Sequence, residues 1–420
     1  SKFSKIKKEW VVEVTGIVSK RPHPNKNIPS GEIEITNSNL KILNKAETPP
    51  IYIDKDDDEP DEIRYKYRYL DLRRPHRNEI LKIRHNVIQT IRDTLNNENF
   101  IEVETPLLTR STPEGARDFV VPSRLHKKNW YALPQSPQLF KQILMGSGID
   151  KYYQIAKCFR DEDLRGNRQP EFTQLDFEMA FSDEDEIFEI SEKLFKNIIA
   201  KVKNKNIETP FKRLTYKEAI ENYGIDKPDL RYPNPIKTIS NILKNEKIRF
   251  IDNVLEENGI VIGLCVKNFF PSRKEISNLE KIAQKFNIQG VAFATKKDGS
   301  WNGGISKITK KETLEKCLDK FGENDNCTLL IIAHSEKENS PGYHALGAIH
   351  RNLRDNGFLK KPNQDYAFCW VTDFPLFEKT ENGITAAHHP FTLPVEKDVP
   401  LIEKEPLKVI SHAYDLVMNG

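Results

Sequence analysis

Two strand-like runs joined by a charged loop do most to limit what this chain can become. Phe159-Arg160-Asp161-Glu162 leads, after a short loop, into Arg168-Gln169-Pro170-Glu171-Phe172-Thr173-Gln174-Leu175-Asp176. Runs this close in sequence have the form of a β-hairpin, and this one carries arginine among carboxylates. A guanidinium can hold a phosphate through two hydrogen bonds. Nearby carboxylates and amides can grip a base, an amine or a metal-bound phosphate. The same residues also read as a polar hairpin with surface ion pairs, which are common and worth roughly 0 to 1 kcal/mol each.

The chain has 420 residues, too many for one ordinary core, and about 150 residues per domain implies two or three domains. Its 65 basic and 62 acidic side chains leave a net charge of only +3, so any basic binding face must be local. Cys158, Cys265, Cys317, Cys327 and Cys369 lie far apart with no CxxC pair, which indicates neither a zinc site nor a disulfide framework. Reduced, buried thiols of an intracellular protein are the expectation. No run of about 18 apolar residues exists to span a membrane, and the basic start Ser1 to Glu9 lacks an apolar signal core.

Trp10 to Val18 alternates apolar and polar residues, and Glu32 to Ile35 and Leu40 to Leu43 give two further short strand signals. They predict part of a small β unit whose edges are uncovered. The Thr48-Pro49-Pro50 break and the acidic run Asp54 to Glu62 read as a linker. From Glu79 to Leu95 the positions Ile80, Ile83, Val87, Ile88, Ile91 and Leu95 fall at helical spacing and predict one buried face. Phe100 to Pro106 switches to period two and stops at a proline, which cannot donate to a sheet. A strand at Trp130 to Leu133 and a helix opening at Gln135 to Gln142 follow. From about Lys227 to Ser340 there is no dense polar cluster. That stretch, with a helix at Glu275 to Phe286 and strands at Ile260 to Val266 and Leu329 to Ala333, reads as an inserted domain. The earlier style resumes at Phe368 to Phe374, the turn His388-His389-Pro390-Phe391, and Tyr414 to Val417.

Four stretches, Tyr67 to Arg74, Phe100 to Phe119, Ala132 to Gln142 and Cys158 to Met179, together closely resemble the bacterial-type aspartyl-tRNA synthetases, which are class II aminoacyl-tRNA synthetases. The resemblance covers nearly all of the chain. It implies an α+β protein, with an antiparallel six-stranded class II sheet flanked by helices. A partial OB-type anticodon-binding barrel is expected at 1–48 and a linker at 49–66. The catalytic domain would occupy 67–226 and 346–420, split by an inserted α/β domain at 227–345. Class II motif 1, a dimer-interface element, is the helix and strand ending at Pro106, and motif 2 is the pair of runs around Arg160 and Asp176.

The resemblance further implies activation of L-aspartate by ATP and transfer to the 3′ end of tRNA, with Mg2+ and a homodimer. Arg160 would be the catalytic residue, binding the α-phosphate and the substrate carboxylate. Asp161, Glu162, Gln169 and Phe172 would hold ATP with it, Glu162 at the adenine amino group and Phe172 by stacking. For aspartate, Lys141 would pair with the side-chain carboxylate and Asp176 would hold Lys141. Gln138 and Glu114 would engage the α-ammonium, and His388 matches a substrate-binding histidine. Asp415 matches a magnesium ligand. An amide in place of the carboxylate would leave Lys141 without a counter-charge in a dry site, which is the basis for refusing asparagine.

The family pattern continues beyond Gly420 into motif 3, and its barrel begins before Ser1. The chain as written is therefore expected to form no adenylate at a useful rate and to read tRNA weakly. The competing readings are an asparaginyl or lysyl synthetase, against which Lys141 and the insert argue, and a catalytically silent synthetase-like binding protein. The working compartment would be a bacterial cytoplasm, or a mitochondrial matrix or plastid stroma.

Overall fold

The computed structural model describes residues 6–54, 59–112, 114–164, 166, 168–244, 246–335, 341–360, 362, 364–381, 383–388 and 392–420. These form two compact units, Ser1–Ile101 with Asn197–Lys205, and Glu102–Lys196 with Asn206–Gly420.

In the first unit, strands Val11–Lys20 and Ile33–Asn44 pair antiparallel. The two short signals at 32–35 and 40–43 are one continuous strand, because an irregularity between Thr15 and Ile17 absorbs the polar residues between them. Thr36 Oγ1 donates to the Ile17 carbonyl there at 3.2 Å. Gly16 permits the close approach, since a Cβ on it would lie 2.5 Å from Ile35 Cγ2 and 2.6 Å from the Thr36 carbonyl. Val11, Ile17, Val18, Ile33 and Ile35 are exposed, as on an uncovered β unit.

The segment read as a linker carries a short helix at Asp61–Lys66, followed by Arg68–Asp71; Lys55 to Asp58 lie outside the described residues. Asp71 is completely buried and faces four arginines. Arg68 is 2.8 Å away, Arg64 3.5 Å, Arg74 3.8 Å and Arg77 3.9 Å. A carboxylate out of water is tolerable because it is surrounded by opposite charge. Pro75 then opens helix Pro75–Asn97 at its first position, where the missing N–H costs nothing. The predicted apolar stripe is buried only toward its C-terminal end, at Ile91 and Leu95, while Ile80 and Leu81 are exposed.

The second unit is organised around strands Lys151–Phe159 and Glu171–Met179, an antiparallel pair in unbroken register from Lys151↔Met179 to Phe159↔Glu171. The Val103 N–H donates to the Tyr153 carbonyl at 3.0 Å, so the run toward Pro106 lies beside this pair, although its regular strand is only Ile101–Glu102. A separate three-stranded sheet has Phe368–Thr372 at its centre, antiparallel to Asp415–Met418 and parallel to Lys212–Thr215. Among the described residues these strands form two separate three-stranded sheets and not the one continuous six-stranded sheet expected.

Residues 237–334 build a five-stranded sheet whose central strands, Ile260–Lys267 and Cys327–His334, are apolar on both faces. Ile262, Leu264, Val266, Leu330 and Ile332 face one core, shared with helices Arg273–Gln284 and Pro341–Asp355. Val261, Cys265, Leu329 and Ile331 face the other, against helix Lys311–Phe321. Helix Pro341–Asp355 runs through the expected boundary at 345 and packs on this sheet. Gly347 allows the helix to approach the end of helix Tyr216–Tyr223, since a Cβ there would sit 2.6 Å from the Tyr223 carbonyl. The stretch also holds a polar cluster that the sequence did not announce: Lys296 Nζ to Glu315 Oε2 at 2.7 Å and Trp301 Nε1 to Glu315 Oε1 at 2.9 Å. All five cysteines are unbridged and buried.

Candidate active site

Period two sorts the hairpin into faces. Tyr152 lies opposite Glu178, Gln154 opposite Asp176, Ala156 opposite Gln174 and Cys158 opposite Phe172, so these eight side chains share one face. Arg160, Asp161, Glu162 and Gln169 lie beyond the strand ends, in the connecting loop rather than on the strands; Arg165 and Asn167 of that loop are outside the described residues. The Arg160 guanidinium sits over the Phe172 ring, 5.1 Å from its centroid. Its backbone N–H donates to the Pro170 carbonyl at 2.9 Å, which closes the loop mouth.

Helix Gln138–Gly146 delivers Lys141 to this face. Its Nζ lies 2.9 Å from Asp176 Oδ1 and 3.1 Å from Glu178 Oε2, with Lys141 and Asp176 both largely buried. Burial works against the ammonium, but the charge and hydrogen bonds of Asp176 and Glu178 outweigh it and hold its pKa above the ordinary lysine value. Lys141 is thus a permanent cation.

The loop bearing Glu114 is clipped from below. Buried Gln135 accepts the Ala116 N–H at 3.0 Å and donates to the Ala116 carbonyl at 2.9 Å and to Asp118 at 2.5 Å. Gly115 takes the positive φ of 103° that the turn requires. Ser136 Oγ donates to Glu114 Oε2 at 2.5 Å and accepts the Gln138 N–H at 3.3 Å, which brings Glu114 and Gln138 together. Pro113 is outside the described residues. Buried Cys158 registers the convergence of these parts. Burial pushes its thiol up to about 11, Arg160 opposes this, and Asp176 and Glu114 add to it. Two cationic groups, Arg160 and Lys141, on this part of the hairpin suit a ligand with phosphate at one end and a carboxylate at the other.

The family described as tRNA synthetases class II (D, K and N) matches residues 60–420. An aspartate–tRNA ligase of Clostridium acetobutylicum is 43% identical over 418 residues, 99% of this chain and 70% of that protein. One from Clostridium perfringens is 44% identical over 422 residues, again 70% of its length, and one from Clostridium tetani is 43% identical over 422 residues, 71% of its length. The chain belongs to the class II tRNA synthetases.

Of the residues expected to form the site, Lys141 meets Asp176 on the hairpin face, Arg160 lies over Phe172 from the loop, and Glu114 is held by Ser136 beside Gln138. Glu162 is engaged instead by Arg168 at 3.4 Å, while Gln169 and Asp161 are exposed at the loop. His388 is exposed with its ring edge-on to Phe374, 4.7 Å between centroids, and His389, Pro390 and Phe391 lie outside the described residues. Asp415 sits in the three-stranded sheet of Phe368–Thr372, opposite Val371. Among the described residues no group of three or more His, Cys, Asp or Glu side chains could hold a metal ion. A lone half-buried carboxylate fits Mg2+ only as that ion is usually bound, by one or two carboxylates with phosphates and water completing the shell.

Four participants escaped the sequence reading. Glu178 shares Lys141 with Asp176, and period two from Asp176 would have found it. Gln135, Tyr152 and Tyr414 are read only from the structure. Burial and nearby Glu184 and Glu178 raise the Tyr414 phenol, against the opposing charge of Lys141, which brings the Asp415–Met418 strand into the site's field.

Proposed function

We propose that this synthetase activates L-aspartate with ATP to aspartyl-adenylate and passes the aspartyl group to the 3′ end of tRNA. The observation that carries the reading is Lys141, a permanent cation held at 2.9 and 3.1 Å by two carboxylates on the same face as Arg160. The clostridial aspartate–tRNA ligases support the same choice over asparagine or lysine. Lys141 pairs with the side-chain carboxylate of aspartate, Asp176 keeps Lys141 in place, and Glu114 and Gln138 take the α-ammonium. Arg160 neutralises the α-phosphate and the attacking carboxylate as charge builds on phosphorus. Phe172 offers a stacking surface for adenine, Glu162 and Gln169 reach the nucleotide from the loop, and Asp161 borders it. His388 closes on the amino acid, and Asp415 would hold Mg2+, which supplies charge neutralisation at the phosphates.

The domain assignment of 1–48, 49–66, 67–226, 227–345 and 346–420 belongs to this proposal. So does a homodimer, for which the exposed Ile80 and Leu81 of helix Pro75–Asn97 offer apolar surface; sedimentation as a monomer at micromolar concentration would remove it. No helix among the described residues is long and apolar enough to cross a membrane. The bacterial relatives support a cytoplasmic place of work. Calorimetric titration with non-hydrolysable aspartyl- and asparaginyl-adenylate analogues tests the reading. Preference for the aspartyl compound is expected, and equal affinity would overturn it.

A further inference from the structure

We infer that Tyr152 and Gln154 form a positioning relay that aims Asp176, and through it Lys141, at the side-chain carboxylate of the amino acid. This rests on the proposed aspartate specificity. Both residues are buried, Tyr152 completely, so neither can touch a substrate. Both share the hairpin face with Asp176 and Glu178.

The orientation of the Gln154 amide sets the hydrogen-bond directions. With the Gln154 amide turned so that each atom meets a complementary partner, the two protons of its nitrogen face Thr105 Oγ1 at 2.9 Å and Tyr152 Oη at 2.8 Å, with the Val103 carbonyl further off at 3.3 Å. Its oxygen then accepts the Thr105 N–H at 3.3 Å. Tyr152 Oη thereby becomes an acceptor from Gln154, and its own proton needs another destination. Asp176 Oδ2 is buried and otherwise without a partner. We assign that proton to this oxygen, since both lie on the same hairpin face and a buried carboxylate oxygen left without a donor would be costly.

The consequence falls on Lys141. An ammonium has three donors, and two are taken by Asp176 Oδ1 and Glu178 Oε2. Which way the third points depends on how firmly those carboxylates are held. Two carboxylates around one cation also leave the triad net negative, which repels a further carboxylate. A phenol hydrogen bond on Asp176 Oδ2 draws that charge toward the hairpin, fixes the rotamer and leaves the third N–H directed at the ligand. The chain of contacts thus runs from Thr105, beside the end of the motif 1 strand, to the group that tells an acid from an amide.

The test uses the 420-residue chain and the same pair of adenylate analogues, with ATP as a third ligand. Tyr152→Phe should lose about 10-fold to 100-fold of the aspartyl-over-asparaginyl preference, the scale of a hydrogen bond to a charged group, while ATP binding stays unchanged. Thr105→Val, which removes only the far anchor, should lose less in the same direction and keeps the idea testable should the tyrosine variant not fold. Retained preference in both variants overturns the relay. So does equal weakening of both analogues and ATP, which would mean a merely structural role. Absence of any preference in the unaltered chain would instead overturn the aspartate reading, and the relay with it.

Discussion

At the scale of single residues, Lys141 and Arg160 are expected to fail differently. Arg160 meets the part common to every adenylate, so Arg160→Ala should weaken the aspartyl and asparaginyl analogues alike, by on the order of 3 kcal/mol. Lys141 meets the part that differs. Lys141→Met should abolish the preference and leave ATP binding near its original strength, since Asp176 and Glu178 lose their cation but Arg160 keeps its place over Phe172. Titration of both variants checks this; a Lys141 variant that still prefers the aspartyl compound would remove the residue from the role given to it.

Elements add what single side chains cannot. Asp71, at the end of a four-residue helix, is a buried carboxylate facing four guanidiniums. Asp71→Asn removes the buried charge that the four arginines share and should destabilise its unit by about 3 to 5 kcal/mol, read as a shift in chemical denaturation. On helix Pro341–Asp355, burial, followed by the charges of Arg354 and Arg351, lowers the His350 pKa to about 4, and its Nε2 has no hydrogen-bond partner. The sign follows from proton binding: between pH 6.5 and 4 the unfolded chain takes up a proton that the folded one refuses. His350 therefore costs nothing above pH 6.5, and stability falls as pH drops toward 4, by about 3 kcal/mol in all. His350→Leu should flatten that acid limb in melting curves taken from pH 7 to 4. An unchanged limb would mean that other groups carry the acid sensitivity.

On the scale of the whole molecule, two compact units predict two unfolding events. In a calorimetric scan Asp71→Asn should lower one transition. Leu330→Ala, a cavity in the core of the five-stranded sheet worth about 2 to 5 kcal/mol, should lower the other. A single transition moved by both substitutions would overturn the division.

Much of this was legible beforehand, because periodicity and local chemistry are written along the chain. The long helix, the paired runs around Arg160 and Asp176, the buried strands at 260–266 and 329–333 and the unpaired cysteines follow from spacing and residue type. The choice of Lys141 and Arg160 came instead from the resemblance of the motifs to the class II synthetases. What a linear reading misses is whatever depends on distant residues meeting. The polar gap at 36–39 looked like a break, and a bulge across from Gly16 absorbs it. The helical stripe at 80–95 looked buried throughout, yet burial depends on what covers it, and Ile80 is exposed. Glu178 could have been found by period two from Asp176, but Gln135 and Tyr152 carry no local sign of a role. Their importance arises from a strand register, a loop clipped at Ala116 and an amide orientation reaching from Thr105, each of which exists only when the backbone has folded. By itself the sequence determined the chemical groups and the elements that carry them. The tertiary structure alone decided their distances, burial and hydrogen-bond directions, because those are properties of pairs far apart in the chain.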